Sequence, residues 1–356
     1  MYRLLRMVTA GAGVALLAVL TAAPAQAAPP APRFTVNIQV SDQASDHPTV
    51  LDPLLVNAWG LALGPATPLW VADNGSDVAT VYRGGAGGTP VSNAGLVVSI
   101  PGGAPTGQAF NGSTGFVVTG PLGSGPARFL FVGEHGDLTG WSPAADATHA
   151  IQARHVNGAV FKGLALLTTG RGPVLLAADF AGGRIDAFDA TFHRLRLDGR
   201  FHDPRLPKGY APFNVLAVGD TVYVSYARQQ AGSTDEQHGP GLGFVDAYTH
   251  FGAQVRRIAS HGTLNAPWGM AIAPAGFGRF TGALLVGNFG DGRIGAYRGD
   301  DFLGQLRDTR GHRITIDGLW GLLPGTAASG GLGTLWYSAG PNDESHGRVG
   351  QLIPAS

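Results

Sequence analysis

The segment NAPWGMAI, residues 265–272, has relatives elsewhere in the chain. NAWGLAL (57–63) repeats its Asn-Ala and Trp-Gly. PTGQAF (105–110), FKGLAL (161–166), PFNVLAV (212–218) and DGLWGLL (317–323) keep a central anchor among apolar residues. The anchors Gly60, Gly107, Gly163, Asn214, Gly269 and Gly321 lie on average about 52 residues apart, which is the scale of a propeller blade.

Working outward, each anchor segment is followed by a second apolar run: PLWVAD, RFLFVGE, VLLAAD, TVYVSY, ALLVGN and TLWYSAG. A third comes next: DVATVY, GDLTGW, GRIDAF, GFVDAY, GRIGAY and GRVGQL. These runs are short, rich in branched and aromatic residues, and bounded by Gly, Asp or Asn, so they read as strands. Weaker fourth strands read at 96–100, 151–156, 195–201, 254–259 and 302–307. Four strands repeated six times predict an all-β, six-bladed β-propeller with four-stranded blades. The sixth unit runs out of chain after its third strand. FTVNIQV (34–40) alternates apolar and polar residues, and is expected to close the ring as the outer strand of blade six.

The chain begins with Arg3 and Arg6, an apolar run from Met7 to Ala23, and Ala25-Gln26-Ala27. That order predicts a secretory signal peptide over 1–27. Residues 28–33 are then a flexible lead, and 34–356 a single propeller domain. With no cysteine in an exported chain, disulfides, a Cys nucleophile and thiolate metal ligands are all excluded. Without Arg3 and Arg6, 22 basic residues face 24 acidic ones, too even a balance for a nucleic-acid partner. No second long apolar stretch predicts an integral membrane segment. No GxSxG, GxxxxGK or HExxH motif is present, so no familiar catalytic machinery is signalled.

LLAADFAGGRIDAF (175–188) and LLVGNFGDGRIGAY (284–297) resemble NHL repeats. With its NAWGLA, APFN, NAPWG and DGLWG segments, the chain from 34 to 352 resembles an uncharacterised family of secreted bacterial β-propeller proteins. The resemblance implies the fold and leaves the activity open. It also implies that an Asp at the position of Asp179 serves the strand turn.

In an antiparallel blade, the starts of strand 1 and the 2–3 loops share one face, here called the top. Three 2–3 loops carry a related motif: EHG (134–136), DEQHG (235–239) and DESHG (343–347). They fall in blades two, four and six. Glu134, His135, Glu236, His238, Asp343, Glu344 and His346 are therefore candidate metal ligands. Imidazoles would suit a zinc- or copper-class ion. Calcium would suit a set dominated by oxygen donors. Calcium-dependent six-bladed propeller enzymes offer a fold-level parallel, with Glu134, Asp179, Asn288 and Asp343 at comparable heights. The alternative reading is that the same residues build solvated turns.

Asn57, Asp73, Asn74, Lys162, Asp179, Asn265, Asn288 and Asp317 are candidate ligand-binding residues of the same face. Lys162 also reads as an aliphatic stem over packed core. Trp59, Trp268 and Trp320 read as inter-blade packing or as a stacking platform. The insertion from Arg228 to Leu242 is placed to fold over the top. The expected function is a secreted binding module for a small molecule, glycan or protein. The alternatives are a metal-dependent hydrolase of lactonase or esterase type, and a structural envelope-associated protein.

Overall fold

The computed structural model describes residues 32–355, and over that span the protein is a six-bladed β-propeller. The expected signal peptide and most of the expected lead lie outside the described residues. The inner strands are Ala58–Ala62, Pro105–Phe110, Phe161–Thr169, Tyr210–Val218, Pro267–Ile272 and Leu319–Pro324. Each pairs antiparallel with the next strand of its own blade.

The repeated anchor has a steric cause. A Cβ on Gly60 would overlap the Thr106 carbonyl, and one on Gly269 would press on the Trp320 carbonyl. Inner strands of neighbouring blades thus meet backbone to backbone, which only glycine allows. Blade four carries Asn214 at this position. Its amide Nδ2 donates to the Trp268 carbonyl at 2.8 Å, so a hydrogen bond replaces the close approach.

Arg33–Ser41 runs antiparallel to Arg348–Pro354, Phe34 opposite Pro354 and Val36 opposite Leu352. The N-terminal strand therefore completes blade six, as the alternation of FTVNIQV predicts. Phe34 is fully buried and packs on Phe277 of blade five at 4.8 Å. Beyond the strand, Arg348 forks onto Asp46 at 2.5 and 2.6 Å.

The core is distributed around the ring. Trp70, Val81, Phe129 and Trp141 pack together between blades one and two. Comparable clusters fill the remaining inter-blade spaces. Each blade buries both faces, and each large apolar side chain contributes about 2 kcal/mol.

Two details depart from the expected strands. Blade three has only Arg194–Leu195 as its outer strand, not 195–201. Asp198, Gly199 and Phe201 have positive φ there and turn the chain instead. Val117–Gly120 and Gly123–Pro126 form an additional hairpin in the 1–2 connection of blade two.

Candidate functional site: a lysine and four carboxylates over an aromatic plug

Three tryptophans close the top of the central axis. Trp59 and Trp320 stack with centroids 3.7 Å apart, and Phe289 stacks on the other side of Trp320 at 3.8 Å. Trp268 meets Trp320 edge-on at 5.8 Å, and Phe213 lies 5.9 Å from it. All but Phe289 are buried. The tryptophans are thus used up in packing against each other. Below them the axis opens into a cavity of about 250 Å³ lined by the lower halves of the inner strands.

Lys162 stands on this plug. Its Nζ lies 5.2 Å from the Trp59 ring centroid, where the π face attracts a cation. The residue is 1% exposed, so its ammonium does not reach water along an aliphatic stem. It donates to Glu134 Oε1 at 2.5 Å and to Asp235 Oδ1 at 3.4 Å.

A hydrogen-bond relay fixes this group from blade to blade. Trp320 Nε1 donates to Asn57 Oδ1 at 2.9 Å. Asn57 Nδ2 donates to Asn74 Oδ1 at 3.1 Å, and Asn74 Nδ2 to Glu134 Oε2 at 3.1 Å. Trp268 Nε1 donates to the Lys162 carbonyl at 2.8 Å. With Asp235 from blade four, every blade takes part.

Two further glutamates complete the cluster. Glu236 is buried and accepts from His238 Nε2 at 3.3 Å. Glu344 lies in a 2–3 loop turn in which Asn342, Asp343 and Glu344 all have positive φ, from 50° to 63°. Each non-glycine residue held there costs about 1–2 kcal/mol. Asp317 pins the turn by accepting from Asn342 N at 2.9 Å, and Glu344 N donates to the Gly340 carbonyl. Such strain concentrates where a side chain must be aimed.

The charges are unbalanced, and the side chains register it. Burial, then Glu236, pushes the Glu344 carboxyl up to about 7. The hydrogen bond to Glu236 raises His238 against the opposing effect of burial. For Lys162, burial disfavours the ammonium, but Glu134 and Glu236 outweigh it and its pKa is raised.

The three histidines behave differently from the expected shared centre. His135 is exposed and donates from Nδ1 to the Gly102 carbonyl at 2.7 Å. His346 donates to Asp42 at 2.8 Å, tying its loop to the end of the N-terminal strand. Only His238 joins the axial group. Among the described residues, no set of three or more His, Asp or Glu side chains is arranged to hold a metal ion. The Lys162 ammonium instead bridges Glu134 and Asp235 and supplies both carboxylates with a positive charge from within the chain.

The remaining candidates are turn builders. Asp73 is fully buried and accepts from Thr80 N at 3.0 Å, and burial pushes its pKa well up. Asp179 accepts from Gly182 N at 2.8 Å and pairs with Arg184. Asn288 donates to the Thr263 carbonyl and to Asp291. Asn265 accepts from Gly239 N at 2.7 Å, which anchors the long blade-four insertion. Asp343 is exposed. Asp235 is the one cluster member absent from the candidates. Its signal was the acidic residue heading DEQHG, inside an insertion long enough to cross the axis.

Uncharacterized protein L690 of Acanthamoeba polyphaga mimivirus is 33% identical over 320 residues, covering 85% of this chain and 81% of that protein. The chain belongs to its family. Uncharacterized protein R648 of the same virus, 32% identical over 333 residues, covers 90% of the chain and 80% of its own length. These relatives are viral, so the secreted bacterial membership implied by sequence resemblance rests on that resemblance alone. No family model matches the chain. Among solved structures, the GH93 α-L-arabinofuranosidase of Fusarium graminearum superimposes with a TM-score of 0.51 at 11% identity, over 90% of this chain and 98% of that one. That similarity concerns the propeller fold. Among the described residues no helix is long and apolar enough to cross a membrane.

Proposed function

We propose that this protein is a binding module whose top face takes a small polar ligand at the axis, one that presents an amine or several hydroxyl donors. The observation that carries this reading is the contact of Glu134 and Asp235 with the single ammonium of Lys162, with Glu236 and Glu344 near enough for their charges to act on the same group. Ionised carboxylates accept hydrogen bonds only, and even with Glu344 titrating near 7 the acids of the group outnumber Lys162 and His238. A ligand bringing donors or positive charge relieves that excess. Asp235 and His238, the more exposed members, give it access. The export expectation drawn from residues 1–27 belongs to the same reading, with a ligand met outside the cell.

The test is a thermal-shift panel of polyamines, amino sugars and neutral oligosaccharides on wild type and Glu236→Gln/Glu344→Gln. A saturable rise in Tm confined to wild type supports the proposal. Equal responses of both proteins to every compound defeat it. Glu344 favours a second reading. A carboxyl titrating near 7 beside another carboxylate and a histidine is suited to general acid catalysis. The bound ligand is then cleaved, and product analysis of the same mixtures separates hydrolysis from binding.

A further inference from the structure

A second site lies at the opposite face, between blades one and two. There a cavity of about 420 Å³, within the range of small-molecule sites, is walled by Trp70, Phe110, Phe129 and Trp141. Trp70 stacks on Phe129 at 4.0 Å, Trp141 tilts against Trp70 at 4.8 Å, and Phe110 meets Phe129 edge-on at 5.5 Å. The walls are therefore rigid and flat-sided. Topology sets the location. Phe110 ends the inner strand of blade two, Trp70 and Phe129 lie at the starts of second strands, and Trp141 ends a third strand. All are bottom-face positions.

Two arginines line the same cavity. Arg83 ends the third strand of blade one, and Arg128 immediately precedes the second strand of blade two. Both are exposed. Among the described residues neither guanidinium takes part in an ion pair, and no acidic side chain lines the cavity. Some arginines pair with carboxylates, as Arg348 does with Asp46 and Arg184 with Asp179 and Asp186; Arg83 and Arg128, like several other exposed arginines among the described residues, do not. Two uncompensated guanidinium groups beside an aromatic cavity set up a field for an anion, and their planar forks match a carboxylate.

We propose that this inter-blade cavity binds a small aromatic carboxylate, with its ring laid against the exposed side of the aromatic wall and its carboxylate on Arg83 and Arg128. The site is independent of the top-face reading, because it shares no residue with the Lys162 cluster.

Isothermal titration with 2-naphthoate and its neutral amide, naphthalene-2-carboxamide, tests the assignment. The expected result is one saturable naphthoate site, with the amide at least about tenfold weaker. In Arg83→Gln/Arg128→Gln, which alters only exposed side chains, the two probes should bind alike. Ala94→Phe, which projects a ring into the same cavity, should abolish both. An unchanged circular dichroism spectrum confirms that each variant folds. Equal affinity of acid and amide for wild type overturns the proposal. Full naphthoate affinity in the arginine variant does so too, as does no saturable heat below about 1 mM.

Discussion

Lys162 Nζ lies 2.5 Å from Glu134 Oε1, although the lysine opens the inner strand of blade three and the glutamate sits in a loop of blade two. The pair is a joint between blades and, among the described residues, the only lysine-centred one at the axis. Lys162→Met should therefore cost about 3 kcal/mol near pH 8, because the carboxylates lose their counter-charge in a largely buried place. At pH 5, where Glu344 is neutral, the loss should be smaller. Urea unfolding at the two pH values measures it, and identical losses would show that the lysine matters only for packing.

The same substitution should make stability respond to calcium more strongly than that of the wild type does. With the ammonium gone, Glu134, Asp235 and Glu236 offer oxygen donors around a vacated position. Millimolar calcium should raise the Tm of Lys162→Met by more than that of the wild type. An equal response of the two proteins would show that the internal cation does not compete for the position.

Glu344 carries its own pH signature. Its folded pKa is about 7 against an ordinary 4.5. Between those values the folded state holds a proton that the unfolded chain has released. Stability is thus fully present below pH 4.5 and falls as pH rises through 7. Glu344→Gln should flatten that fall and exceed wild type by about 1–2 kcal/mol at pH 8, a figure reduced for partial exposure. Parallel unfolding profiles of the two proteins from pH 4.5 to 8 would contradict the assignment.

The Trp59–Trp320 stack joins blades one and six directly. Trp320→Ala should cost about 3–5 kcal/mol by leaving a cavity under the relay. Trp320→Phe keeps a ring but removes the donor to Asn57, and should cost about 1–2 kcal/mol. Equilibrium denaturation ranks them, and the reverse order would refute the plug.

Ring closure by the N-terminal strand makes a similar claim. Phe34→Ala should cost about 3–5 kcal/mol, since its fully buried ring lies between blades five and six. Hydrogen exchange should then quicken first along Arg348–Pro354, the strand it pairs with. Unchanged exchange there would mean that the closure does not depend on this side chain.

Much of the top face was legible as a set of loops. The motifs EHG, DEQHG and DESHG announced that three alternate blades present acid and histidine to one face. Which of the two points inward was not legible. It depends on backbone angles such as the positive φ run at Asn342, Asp343 and Glu344, which no residue type there requires. The glutamates turned to the axis, while His135 and His346 found partners in Gly102 and Asp42. Lys162 read as a stem over packed core because nothing nearby in sequence can neutralise it. Its partners lie 28 and 73 residues away along the chain.

The sequence alone determined the blade count, the strand order and the closing strand. Those follow from local properties: glycine where strands touch, alternation along each strand, and turn residues between them. Tertiary structure alone decided the chemistry of the axis, because a buried charge is set by neighbours that only ring closure assembles. Four acids that look ordinary in sequence become a coupled group when six blades bring them around one ammonium. Likewise Arg83 and Arg128, 45 residues apart, come to line one aromatic cavity only because two blades pack side by side.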